Sequence, residues 1–453
     1  MRSNVESTQQ MPNILHLKPD ALDTVEKCSK YTVAVVGCGR KGILFASGFA
    51  DAGFQIVCTD ADPSVTKKLT KGKTFFTDQE METRLKSLIT TGQLTVSSDI
   101  KKAVSKSDIV IVTVQPKSND KKNGGAPEVN SICKQVGEAL HSGALVIYSD
   151  VASYGFTEST IKETIENTSG LKTGADFGLA YAPIHDSDAD NAKKLSNLEL
   201  KVAAVGKDAL EAAATTLNTV SKHVKQINNV KKAELATLFN VAKQNVNMAL
   251  ANELAVFCEN LNMDYFEILQ ALEVSDPAFY PTLLGETNKN ESYLLLESAE
   301  NANTKLRLPA LARQINEEMV KHAVNLTQDG LRGCGKTLRR ARIAVLGAAT
   351  ESTAGYIKLL ELKGAKVNFF NMSAKNEALD LTAKTNLNEA IEGADGITLL
   401  TRDGQLQNLN LKKIKALTKT PSVIVDLAGV FEPVKVEAEG FAYRGLGRSQ
   451  TAQ

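Results

Sequence analysis

Two doubly wound, Rossmann-like α/β lobes, joined by a long central helix and a helical middle section, are the fold that this 453-residue sequence predicts. Three observations carry the prediction. From Tyr31 the chain runs through an apolar strand, a glycine turn, a helical stretch and a second strand: "YTVAVVG", "CGRKGILFASGFADAG", "FQIVCTD". After Arg340 the same grammar returns in "ARIAVLGAA", "AKVNFFN", "GADGITLLT" and "PSVIVDLAG". Between the two, Leu235, Leu238, Ala242, Val246, Leu250 and Leu254 recur at helical spacing with neither proline nor glycine among them.

The bulk numbers bound the function. At 43% hydrophobic the chain can bury two or three cores but is too long for one. Lys+Arg of 53 against Asp+Glu of 52 leaves +1, so no global field favours nucleic acid or an acidic membrane surface. A small ligand is the expected partner. Cys28, Cys38, Cys58, Cys133, Cys258 and Cys334 are scattered without CxxC spacing, which argues against a zinc site or disulfide frame and for a reducing compartment, the cytoplasm. Residues 1–30 are polar and mixed in charge, and are expected to be a flexible arm. No later segment has the length and apolarity of a membrane span.

The elements follow in order. The runs "SDIVIVTV" and "GALVIYSDV" alternate with helical segments, the pattern of a parallel sheet covered on both faces. The expected domains are 31–225 for the first lobe, 226–328 for the helical section and 329–453 for the second lobe. "ALARQINEEMVKHAVNL" reads as a further helix.

"VVGCGRKG" places Gly37, Gly39 and Gly42 in G-x-G-x-x-G, after a strand and at the start of a helix, with Arg40 and Lys41 in the last two variable places. Such glycines let the backbone turn tightly and approach a pyrophosphate at the helix N-terminus. The next strand ends in Asp60, which can accept the ribose hydroxyls and would repel a 2′-phosphate, so NAD is expected rather than NADP. The bland alternative is a glycine-rich turn that binds nothing. Lys67 and Lys68 read as a solvated helix face. "GLRGCGKT", Gly330 to Thr337, matches the phosphate-loop formula letter for letter, but a helix precedes it and a strand follows it, the reverse of what that loop needs. It reads as a basic linker between domains.

The order of these parts, with "VAVVGCGRKG", "GADFGLAYAP", "NVNMALANELAVFCENLNMD", "ARQINEEM", "IAVLG", "KGAKV" and the closing "GFAYRGLGR", resembles the UDP-glucose/GDP-mannose dehydrogenase family over roughly Tyr31 to Arg448. The resemblance implies NAD and nucleotide-sugar binding lobes, and oxidation of a sugar C6 alcohol to a carboxylate through a thiohemiacetal on a cysteine. It also implies a homodimer through the long helix, residues 229–262.

The resemblance fails where the chemistry should be. In the family's cysteine loop, counting back from Arg313 puts Gly285 on a glycine, Thr287 on the nucleophile and Glu291 on an aspartate. A threonine hydroxyl, almost wholly protonated at neutral pH, is a poor nucleophile without a strong base. Cys258 reads as a packed core residue instead. The family's helix lysine and asparagine fall on Thr237 and Val241; Lys232 and Asn240 could serve only after a slip in register. Its S-P-E reads Ala182-Pro183-Ile184, with His185, Asp186 and Asp188 alongside. The threonine of its V-P-T-P or V-Q-T-P turn is Pro116, its basic third-lobe stretch is cut to "AATESTAG", and the arginine of its closing D-x-R is Ala428. Glu291, Thr287, His185 and Asp188 remain as catalytic candidates.

Three readings stand open. The protein binds NAD, and a UDP-sugar with it, without the standard chemistry, as a sensor or as the silent member of a hetero-oligomer with an active paralogue. It is a divergent dehydrogenase making only the alcohol-to-aldehyde transfer, which needs a base and NAD but no thiol. Or it is an ordinary nucleotide-sugar dehydrogenase.

Overall fold

The computed structural model describes the chain except residues 1–12, 75–78, 117–125, 186–187, 190–191, 193, 275, 284–288, 372–380, 385, 402–403 and 450–453. It divides into two compact units, Met1–Asn240 with Tyr293–Ala302, and Val241–Ser292 with Asn303–Gln453.

The first unit holds β1 (Thr32–Val36), β2 (Gln55–Thr59), β3 (Leu94–Ser97), β4 (Ile109–Val112), β5 (Leu145–Tyr148), β6 (Gly178–Tyr181), β7 (Glu199–Ala204) and β8 (His223–Gln226). Their spatial order is β3-β2-β1-β4-β5-β6-β7-β8, parallel throughout except between β6 and β7. Alternate residues of one strand feed different cores: Val33 and Val35 join one apolar cluster, Ala34 and Val36 the other. That is why the central strands read as unbroken apolar runs, with each fully buried valine contributing about 1.5–3 kcal/mol.

The segment expected to be a flexible arm belongs, from Asn13, to this unit. Asn13 caps a short 3₁₀ turn through the Leu15 N–H at 3.0 Å, the Ile14 N–H bonds Gly143 O at 2.8 Å, and Ile14, Leu15 and Leu22 are buried. Three apolar anchors in an otherwise polar stretch offset the cost of ordering it.

The long helix runs Val230–Asn260, 31 residues or about 46 Å. Asn229 starts it by accepting the Lys232 N–H at 2.9 Å, and Asn262, at φ 55°, ends it, with the Met263 N–H returning to Cys258 O at 2.9 Å. The division between units falls inside this helix, so residues 226–328 are shared between the two units. The "ARQIN" stretch lies in a helix spanning Arg307–Gly333, longer than its apolar pattern suggested.

The second unit contains β9 (Arg342–Gly347), β10 (Lys366–Asn371), β11 (Gly396–Leu399), β12 (Val423–Asp426) and β13 (Ala442–Gly445), parallel in the order β10-β9-β11-β12-β13. The phosphate-loop look-alike is not a linker between domains. Leu331, Cys334 and Leu338 bury themselves in the apolar cluster of this sheet, so the segment is the packed corner between helix and β9. The tail docks onto the end of the long helix: Gly447 N–H reaches Glu259 Oε1 at 2.6 Å, and Arg448 bonds Asp264 Oδ2 at 3.1 Å while covering the Phe266 ring at 4.0 Å.

Candidate functional site

In the first unit the sheet order reverses direction between β1 and β4, and the glycine loop sits at that switch point, where ligands of open α/β sheets bind. Gly37 has φ 97°, and a side chain there would stand 2.9 Å from Val114 Cγ2. A Cβ on Gly42 would lie 1.9 Å from Gly37 O, so the turn closes only with glycine. Gly39, which starts the helix Arg40–Asp51, has nothing within 4 Å of such a Cβ, and the space above the helix N-terminus is open to a pyrophosphate. The residues therefore fit a dinucleotide. Thr113 Oγ1 donates to Gly37 O at 2.6 Å and fixes the loop from β4.

Asp60, at the end of β2, is tied to the loop it was expected to complement. Its Oδ2 accepts the Cys38 N–H at 2.7 Å and its Oδ1 the Asp62 N–H at 2.9 Å, and a carboxylate retains lone pairs for ribose hydroxyls. Cys38 lies beneath, its thiol pushed up by hydrogen bonding to Cys58 and by burial. Arg40 begins the helix, half-buried. Lys41, one residue on, is buried and reaches Asp150 Oδ1 at 2.8 Å; that oxygen also accepts the Val151 N–H at 2.8 Å. Asp150 carries no motif, and sequence reasoning missed it. The usable signal was an acid just past a wholly apolar strand, at the carboxyl edge where ligands collect.

Thr237 and Val241, expected from the sequence to stand where the family carries a lysine and an asparagine, are buried and without charge. Thr237 spends its hydroxyl on Ala233 O at 2.9 Å, and burial holds the Tyr181 phenol far above its ordinary value. Ile184 is buried. Lys232 points to solvent, and Asn240 Nδ2 lies 3.4 Å from His185 Nε2. With Asn240 donating, that ring nitrogen accepts and the ring proton sits on Nδ1. His185 is buried, whereas Asp188 is exposed. Pro116 is buried, and Asp186 lies outside the described residues.

In the second unit Val241 and Glu291 are fully buried, Glu291 in the first turn of Lys289–Asn301. Its neighbour Ser292 accepts from Asn245 Nδ2 at 2.8 Å. Gly285 and Thr287 lie outside the described residues. Asn252 donates to Asn316 Oδ1 at 3.0 Å and accepts the Thr282 N–H at 2.9 Å, so "ANE" on the long helix and "ARQIN" face one another. Cys258 packs with Ala255, Tyr265 and Leu269, as its sequence context suggested. "AATESTAG" turns from β9 into the helix Glu351–Leu362, with Thr350 accepting the Thr353 N–H at 3.1 Å. Ala428 N–H bonds Asp426 Oδ1 at 3.1 Å, and burial pushes that carboxyl up.

A glycine loop at the switch point of a doubly wound sheet, followed by a second parallel sheet, defines a dinucleotide-binding α/β protein of dehydrogenase architecture. The chain belongs to the UDP-glucose/GDP-mannose dehydrogenase family. Residues 31–225 match its NAD binding domain, 231–318 its central domain and 351–433 its UDP binding domain. The UDP-N-acetyl-D-mannosamine dehydrogenase of Pyrococcus horikoshii is 26% identical over 92% of this chain and 99% of its own length. The UDP-glucose 6-dehydrogenase of Bacillus subtilis is 22% identical over 92% and 93%. A solved structure of the UDP-D-ManNAc dehydrogenase from Pyrococcus horikoshii superposes with a TM-score of 0.78 at 25% identity, covering 93% of this chain and 100% of that one. NAD is the cofactor of this family, and its binding domain is present here. No described helix is long and apolar enough to cross a membrane.

Proposed function

We propose that this chain is a member of its family that binds NAD, and a UDP-sugar with it, without the standard two-step oxidation. It serves as a sensor or as the silent partner of an active paralogue. One argument carries the reading: an ungapped match along an unbroken helix sets Thr237 and Val241 against the family's lysine and asparagine. The Asn252–Asn316 bond between two scaffold motifs argues against a slipped register, and one residue of slip would turn each side chain by about 100°. Lys232 and Asn240 therefore do not substitute. Neither an alkyl group nor a hydroxyl already spent on its own helix can hold a developing oxyanion as an ammonium does.

A second reading has its own support. A buried imidazole can take a proton from an alcohol that displaces Asn240 from its Nε2, which is all that a single alcohol-to-aldehyde transfer asks of the protein besides NAD. Glu291 and Asp188 are the other base candidates, and Thr287 is the residue in the place of the nucleophile.

The assembly belongs to the same proposal. Leu250, Leu254 and Phe257 on the long helix are 45%, 41% and 57% exposed and fall within about 60° of one another around its axis. A second copy of this chain is the occupant that a continuous apolar stripe on a central helix fits.

The test is calorimetric titration with NAD and NADH, then with UDP-sugars in the presence of NAD, while NADH absorbance is followed. Binding without reduction across the sugars supports the first reading. Reduction with even one sugar overturns it and sends mutagenesis to His185 and Glu291.

A further inference from the structure

The Lys41–Asp150 pair is the most deeply buried ion pair of the first unit whose geometry is described, and binding through the glycine loop's backbone does not require it. Its position follows from topology. Lys41 stands at the start of the helix after β1, Asp150 two residues beyond β5, and β4 lies between those strands in the sheet. The lysine side chain therefore crosses the carboxyl end of β4. In a doubly wound sheet the two halves of a dinucleotide fall on either side of the switch point. Asp60 at the end of β2 marks the adenosine side, so the ammonium lies on the side of the second mononucleotide. The pair thus lies at the carboxyl edge of the sheet, in the same helix turn whose N-terminus the loop presents to an anion.

We infer that Lys41 is a specificity-determining residue that reads the second phosphate of the bound nucleotide, and that Asp150 is the residue that positions it. This rests on the reading of the glycine loop as a dinucleotide seat. An ammonium removed from bulk water and locked by a counter-ion acts on a neighbouring phosphate with little screening and little loss of rotamer freedom. AMP, which stops at the first phosphate, gains little from it; ADP, ADP-ribose and NAD gain fully.

The experiment is calorimetric titration of the full chain with AMP, ADP, ADP-ribose and NAD. K41M alone leaves a buried carboxylate without its counter-charge and is expected to unfold readily. The double variant K41M/D150N removes both charges at similar volume and keeps the fold testable. The expected result is about a tenfold or greater loss for ADP, ADP-ribose and NAD, with AMP changed less than about twofold. K41R, which keeps the charge, is expected to retain most of the gain. An equal loss for all four ligands, or no loss for any, overturns the inference while leaving the dinucleotide seat intact. If the wild-type chain binds none of them, the seat itself falls and the inference falls with it.

Discussion

Glu234 and Thr157 are joined by a carboxylate capping bond, Oε1 accepting the Thr157 N–H at 2.8 Å, while Oε2 of the same side chain accepts the Gly155 N–H at 2.6 Å. The two donors open the helical segment that runs from Thr157 to Ser169, where N–H groups have no partner within the helix and the dipole is positive. Glu234 itself is in the first turns of the long helix and is wholly buried. The loop after β5 is thus held at one end by Lys41, through Asp150, and at the other by the long helix.

Replacing Glu234 by alanine leaves two backbone donors unpaired, and the expected loss of unfolding free energy is about 3 kcal/mol, read by urea denaturation. The pH dependence has a definite sign. Burial raises this carboxyl above its ordinary 4.5, so the folded chain binds its proton more tightly than the unfolded chain does. Its contribution is fully present below that ordinary value and is lost as pH rises through the raised one. The stability gap between wild type and Glu234→Ala should therefore narrow from mildly acid toward neutral pH. A gap that widens means that the capping bonds, and not burial, dominate the carboxyl.

Two glycines of one loop should behave oppositely. Gly42→Ala places a methyl 1.9 Å from Gly37 O, a backbone atom that cannot step aside, so the variant should lose stability and nucleotide binding together. Gly39→Ala meets nothing within 4 Å, so its thermal midpoint should stay within about 2 °C of wild type while NAD affinity falls, because the methyl stands where the pyrophosphate approaches. Unchanged NAD affinity in a folded Gly39→Ala chain would place the phosphates elsewhere.

What the sequence made legible was local. The strand, glycine turn, helix and terminal acid from Tyr31 to Asp60 are contiguous, and each obeys a short-range rule. Lys41 and Asp150 are 109 residues apart, and only the order of β1, β4 and β5 brings them together, which no periodicity encodes. The stretch from Asn13 read as an arm because its average is polar, although three apolar anchors, Ile14, Leu15 and Leu22, are buried along it. "GLRGCGKT" read as basic linker because its charges are conspicuous, whereas Leu331, Cys334 and Leu338 recur at three- and four-residue spacing and carry the packing. The long helix was plain from its repeat, but where the units part within it depends on contacts made by distant segments.

Asp60 should decide between NAD and NADP. Its carboxylate holds Cys38 and Asp62 through their N–H groups, and a bound ribose would add charge-assisted bonds of about 1.5–3 kcal/mol. Asp60→Ser is expected to weaken NAD by about tenfold or more and to leave NADP unchanged or improved, since the repulsion of the 2′-phosphate is gone. Fluorescence titration with the reduced cofactors reads both. Equal losses for the two would mean that Asp60 acts only by holding the loop.

The apolar stripe predicts the mass of the particle. An exposed helix position accepts aspartate at small cost to the folded monomer, usually within about 0.5 kcal/mol, whereas an interface core does not accept an unpaired charge. Leu254 and Phe257 are 41% and 57% exposed and lie one turn apart. Light scattering on the wild-type chain should give twice the chain mass, and Leu254→Asp with Phe257→Asp should give the chain mass with an unchanged far-ultraviolet spectrum. A dimer on this face must bury about 1,600 Å² in total, more than one helix supplies, so Leu308 and Leu311, 61% and 52% exposed at the start of Arg307–Gly333, should weaken it as well when changed to aspartate. A wild-type chain that runs as a monomer at every concentration removes the homodimer; mixing with an active paralogue then asks whether a different subunit covers the stripe.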